Sequence, residues 1–109
     1  MPTELPVLQP LRMDLRPPDV RDGVAVAALI ADATRAGILA MLHDGPHCVC
    51  ELAAALGERQ NNVSNHLARL RDGGLVRVSR APADGRRAYY EREPDAGRLA
   101  LLALAEILG

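Results

Sequence analysis

The chain has 109 residues, 49% of them hydrophobic, which suffices for one compact domain and is too little for two. With no Phe, no Trp and two Tyr it is poorly equipped to stack single-stranded bases; two cysteines and no long apolar run exclude a disulfide-framed secreted domain and a membrane span. The net charge of −1 hides an uneven spread, because Arg59 to Arg92 holds eight arginines against three acids (+5, against −6 elsewhere) and Lys is absent, as for a DNA face on an otherwise acidic molecule.

Residues 1–18 carry five of the eight prolines and no helical period, so they read as an irregular N-terminal arm preceding a domain over 19–109. Asp19 is a plausible cap for a first helix running to Ala31, with Val20, Val24, Ala27, Ala28 and Ile30 inward. Asp32 restarts a helix that continues over Thr34 to His43 with Ile38, Leu39 and Leu42 inward, and Asp44-Gly45-Pro46 ends it. A short helix spans about Cys48 to Leu56 and closes at Gly57; the next runs from Gln60 to Asp72 and stops at Gly73 and Gly74. The period then changes from helix to strand. Leu75 to Arg80 alternates, Ala83-Asp84-Gly85 turns the chain, and Arg86 to Arg92 returns as the second strand of a basic-tipped hairpin. Pro94 breaks the chain and Asp95 can cap a final helix to Leu108. Leu99, Leu101, Leu102, Leu104, Ile107 and Leu108 make that helix apolar nearly all round, so it needs cover from a second subunit. The fold class expected is mainly α with a two-stranded β wing: a winged helix-turn-helix.

The helix-turn-helix lies between Val49 and Asp72. Ala53 is small where two helices must cross, Gly57 supplies the turn, and Val63 fills the space between them. On the second helix Val63, Leu67 and Leu70 share one side, while Asn61, Asn62, Asn65, Ala68 and Arg69 occupy the other with Ser64 at its border. An ordinary solvated face would be laced with Glu–Lys pairs. Asn and Arg instead are the side chains that pair bidentately with adenine and guanine in the major groove. The expected DNA contacts are Gln60, Asn61, Asn62, Ser64, Asn65 and Arg69 from this helix, with Arg80, Arg86 and Arg87 on phosphate from the wing. His66, beside the apolar stripe, reads as a packing or hydrogen-bonding histidine. Ser64 and His66 diverge on a helix, and no acid–base pair, phosphate loop or oriented nucleophile supports an enzyme.

Three stretches, Ala31-Asp-Ala-Thr-Arg35-Ala-Gly-Ile-Leu39, Cys48-Val-Cys-Glu-Leu52 and Asn62-Val-Ser-Asn-His-Leu67-Ala-Arg-Leu70-Arg-Asp-Gly-Gly-Leu-Val76, resemble the ArsR/SmtB family of metal-responsive repressors, over about Val20 to Leu108. With no membrane span, secretory signal or disulfide framework read from the sequence, the cytoplasm is the expected compartment, and the resemblance implies a homodimer paired through its first and last helices. It also implies recognition helices in successive major grooves of double-stranded operator DNA, wings on the backbone, and repression relieved by an inducer. Asp32-Ala33-Thr34-Arg35 stands where the family has Asp-Pro-Thr-Arg.

Cys48 and Cys50 are the sharpest chemical feature. On a regular helix residues two apart diverge by about 200°, so both sulfurs can grip one ion only if the first turn is irregular. A helix N-terminus favours the thiolate that soft metals require. In the resembled family this position carries the thiolates of the metal or metalloid site, which implies that binding distorts the helix-turn-helix. Two sulfurs need further ligands: His47, His43, Glu51, Asp14 of a partner's arm, or water. The ion is a transition metal or metalloid, with As(III), Cd, Zn, Ni and Co not distinguished. The paired-histidine site of the last helix, also known in the family, is expected to be absent. Two free cysteines can equally be small core residues. Other readings make the thiols a redox switch, although a disulfide across one residue is expected to be strained and short-lived, or a metallochaperone, which leaves the basic hairpin unexplained.

Overall fold

A computed structural model describes residues 20–79 and 87–109. The predicted arm, the Asp19 cap, the Ala83–Gly85 turn, and Arg80 and Arg86 lie outside the described residues.

Helix α1 (Arg21–Ile30) follows Val20, which occupies the cap position without a side-chain bond. Its inward face differs from the expected one. Val24 is 54% exposed and Ala28 is exposed, whereas Gly23 is buried and Leu29 and Ile30 pack against the core. The reason is that α1 crosses the last helix at Gly23, where a Cβ would stand 2.5 Å from the carbonyl oxygen of Ala103. That close approach turns Val24 outward. Asp32, in extended conformation, caps α2 (Ala33–Met41) by accepting the Arg35 backbone N–H at 2.9 Å. The expected continuation to His43 is a 3-10 turn over Leu42–Asp44 instead.

His47–Cys48 form a strand, β1, and helix α3 (Val49–Leu56) begins one residue later than expected. Gly57 ends α3 in the left-handed region, at φ 67°, where a side chain would be strained. Helix α4 (Gln60–Asp72) follows at once. Strands β2 (Val76–Ser79) and β3 (Tyr89–Arg92) are shorter than the predicted hairpin arms and pair antiparallel, Val76 opposite Arg92 and Ser79 opposite Tyr89. β1 adds to the other edge of β3, with His47 opposite Tyr90 and Cys48 opposite Tyr89, so the wing is three-stranded in the order β1-β3-β2. Helix α5 (Ala96–Leu108) closes the chain; Asp95 sits at its cap position but makes no side-chain cap bond.

The core lies where α2, α3 and α4 meet the sheet: Ile38, Leu52, Val63, Leu67 and Leu70 are fully buried, with Leu75, Val76 and Ala96 beneath the wing. Leu39, expected inward, packs against its margin. The last helix behaves otherwise. It packs on α1, yet Leu101, Leu102 and Leu108 remain 70%, 57% and 81% exposed, an apolar face without cover among the described residues. Among the described residues no single helix is long and apolar enough to cross a membrane.

Candidate nucleic-acid interface and thiol site

The helix-turn-helix takes its geometry from small residues. Ala53, 5% exposed, lets α3 approach α4 closely, and Val63 fills the crossing. With Val63, Leu67 and Leu70 anchored at 0% exposure, the opposite side of α4 is fixed in space. Asn61, Ser64, Asn65 and Arg69 are exposed there, and Gln60 is exposed at the start of the helix. The N-terminal turn of α4 carries no acid, Arg59 at its cap position makes no side-chain cap bond, and Arg69 and Arg71 occupy the last turn. Backbone amides at such an end are free to meet phosphate.

Asn62 differs from its neighbours. It is half-buried, and its Nδ2 donates to Oε1 of Glu58 at 2.7 Å. The second oxygen of Glu58 lies 3.5 Å from Oγ1 of Thr34. Glu58 thus ties the start of α2 to α4, a role that its place in a turn did not signal. His66 is half-buried as expected, its Nδ1 3.1 Å from Nη1 of Arg35 and 3.9 Å from Oδ2 of Asp32. Of the wing arginines, Arg87 is described and exposed. Arg77 is engaged by Glu91 at 2.7 Å, and Arg92 turns inward to the carbonyl of Leu39 at 2.8 Å.

The thiol pair is brought together by the change from strand to helix. Cys48 is the extended N-cap of α3 and Cys50 lies in its first turn, so the divergence of a regular helix does not apply; their Cα atoms are 5.4 Å apart. The two sulfurs are joined as a disulfide, the bond that the spacing alone argued against. Cys48 is 2% exposed and Cys50 half-buried. Cys48 also acts as a capping residue. Its Sγ accepts the Glu51 N–H at 3.4 Å while Oε1 of Glu51 accepts the Cys48 N–H at 3.1 Å, a capping box with sulfur in the place of a hydroxyl. Glu51 three residues after Cys48 was the sequence signal for it.

That Cys48 N–H, followed by the side chain of His47, holds the Glu51 carboxyl below its ordinary value. His47 Nδ1 lies 3.3 Å from Glu51 Oε1 and is engaged there. With the sulfurs bonded to each other, no group of three His, Cys, Asp or Glu among the described residues is arranged to hold an ion. A shallow cavity of about 310 Å³ runs from Cys48 and Cys50 to Gln60 and Arg87, placing the disulfide between α4 and the wing.

Residues 32–78 match the family model described as bacterial regulatory protein, arsR family. The chain is 47% identical over 49 residues to the arsenical resistance operon repressor of Escherichia coli (44% of this chain, 42% of that protein). It is 48% identical over 61 residues to the HTH-type transcriptional regulator CmtR of Mycobacterium tuberculosis (56% and 49%). These alignments span about half the length of the curated relatives. The homodimeric winged helix-turn-helix DNA-binding domain Mb0332 of Mycobacterium bovis, a possible ArsR-family regulator, superposes with a TM-score of 0.64 at 31% identity, over 79% of this chain and 78% of that fragment. The chain belongs to the ArsR family. Its fold is accordingly the winged helix-turn-helix, and the expectation of a regulator rather than an enzyme agrees with the names of these relatives. For an ArsR-family chain, the two thiols at the start of α3 and the amide-rich face of α4 are the features that call for a functional reading.

Proposed function

We propose that this chain is a cytoplasmic, homodimeric transcriptional repressor that binds double-stranded operator DNA through α4 and is controlled by a metal or metalloid ion at Cys48 and Cys50. The observation that carries the DNA reading is the anchored, exposed face of Asn61, Ser64, Asn65 and Arg69, with Gln60 exposed at the start of a helix whose first turn has no acid. Asn and Arg there read base edges, Asn62 joins them from its half-buried position, and Arg80, Arg86 and Arg87 of the wing hold phosphate. Dimer pairing through α1 and α5 covers the leucines that this chain leaves exposed, and it sets two recognition helices about one DNA turn apart.

Control runs through the cap of α3. As reduced thiolates, Cys48 and Cys50 offer two sulfurs from one short segment, with His47 the adjacent nitrogen donor and further ligands from the arm or the partner subunit. The chemistry suits a soft or borderline ion: As(III), Cd, Zn, Ni or Co. Giving up the Cys48 sulfur leaves the Glu51 amide without its acceptor and loosens the start of α3. Through Leu52 and Ala53, that helix supports the position of α4. DNA binding then weakens.

A second reading, in which oxidation of the pair to a disulfide is the signal, is favoured by the bonded sulfurs. One experiment separates the two. Mobility shift on DNA upstream of the chain's own gene is run with a panel of ions, then with oxidant, on the parent and on Cys48→Ser and Cys50→Ser. Metal control predicts release by an ion from the reduced parent and none from either variant. Release by oxidant alone supports the redox reading, and ion release from both variants contradicts the assignment of the site. Ion binding without any DNA complex would favour a metallochaperone.

A further inference from the structure

Glu58 is the only carboxylate between Glu51 and Asp72, and it sits at the entry to the reading helix, where a negative charge is repelled by DNA phosphate. Its side chain is engaged on both oxygens: Oε1 accepts from Nδ2 of Asn62 at 2.7 Å, and Oε2 lies 3.5 Å from Oγ1 of Thr34. A carboxylate only accepts hydrogen bonds, so this contact settles which end of the Asn62 amide is which: nitrogen toward Glu58. One Nδ2 hydrogen is used. The other hydrogen and Oδ1 remain, and a donor beside an acceptor is what the N7 and N6 edge of adenine requires. An amide free to rotate about its terminal bond can also offer its two hydrogens to the N7 and O6 acceptors of guanine.

We propose that Glu58 is a positioning residue that sets the Asn62 amide to read adenine and to reject guanine in the major groove. The proposal rests on the reading of α4 as the DNA-recognition helix. Thr34, on α2, steadies the carboxylate from the far side, so the setting is built into the packing of α2 against the turn before α4.

The test is selection of duplexes from a random-sequence pool, with sequencing, on the full chain and its Asn62→Ala, Glu58→Ala and Glu58→Gln variants. The parent is expected to enrich a symmetric site. Asn62→Ala is expected to lose its preference for adenine at one position of each half-site. At that position Glu58→Ala is expected to lower the adenine-over-guanine ratio roughly five- to tenfold. Glu58→Gln keeps an oxygen acceptor for Nδ2 and is expected to restore the ratio, while binding all duplexes more tightly for want of the charge. An unchanged ratio in Glu58→Ala overturns the proposal, as does a Glu58→Gln variant as permissive as Glu58→Ala, or an Asn62→Ala variant that loses no adenine preference. If the parent enriches no sequence, the DNA reading itself fails and the proposal with it.

Discussion

Nη1 of Arg35 lies 3.1 Å from Nδ1 of His66, and the same guanidinium reaches the carbonyls of Leu29 at 2.6 Å and Ala28 at 3.1 Å. Arg35 therefore caps the last turn of α1 and holds the reading helix α4 with one planar group. Because guanidinium nitrogens only donate, Nδ1 of His66 is the acceptor and its proton sits on Nε2.

Arg35→Ala should destabilise the fold by about 2 kcal/mol, since it removes charge-assisted bonds from the half-buried Leu29 carbonyl and a half-buried ring nitrogen. Arg35→Lys should recover only part of that, because an ammonium cannot reproduce the fork. Denaturant melts of the two variants beside the parent check both.

The two acids with displaced carboxyls predict an acid limb to stability. The Arg35 backbone N–H, aided by the charge of Arg35, holds the Asp32 carboxyl below its ordinary 3.8; the Cys48 N–H and then His47 hold that of Glu51 below 4.5. A depressed carboxyl contributes stability that is complete above its unfolded value and is lost as pH falls through the folded one. The denaturation midpoint should therefore hold steady down to about pH 5 and fall below it. In the Asp32→Asn, Glu51→Gln double variant the fall should be shallower, with a lower plateau at neutral pH. Midpoints measured across that range decide it.

How far the sequence carried the fold is visible in α4. The stripe of Val63, Leu67 and Leu70 and the opposite face of Asn61, Ser64, Asn65 and Arg69 follow from helical spacing alone, because a single helix with one buried side obeys one period. The face of α1 did not follow from spacing. Gly23, which carries no hydrophobic signal, is the point of closest approach, and the crossing with α5 decides which residues are buried. Strand β1 was hidden for a related reason: two residues are too few to show alternation, and His47–Cys48 become a strand only because Tyr89 and Tyr90 lie beside them. That same strand places Cys48 at the cap and lets the two sulfurs meet. Glu58 and Arg35 were missed as tethers since their partners, Asn62 and Thr34 for one, His66 and Leu29 for the other, come from packing rather than from local pattern.

Leu101 and Leu102 are 70% and 57% exposed on α5 and contribute little to the packing of this chain on itself. Replacing both with Glu should convert the proposed dimer to a monomer in sedimentation velocity while the thermal transition of the monomer fold survives. Retention of the dimer would place the subunit interface elsewhere.

The proposed function depends on the exposed face of α4 reading DNA sequence. Fluorescence anisotropy with Asn65→Ala, on the selected operator and on a scrambled duplex of equal length, tests it most directly. Asn65→Ala is expected to bind the operator at least about tenfold more weakly, the cost of one lost base contact, while binding to the scrambled duplex stays within about twofold. Equal weakening on both duplexes, or no change on the operator, would contradict it.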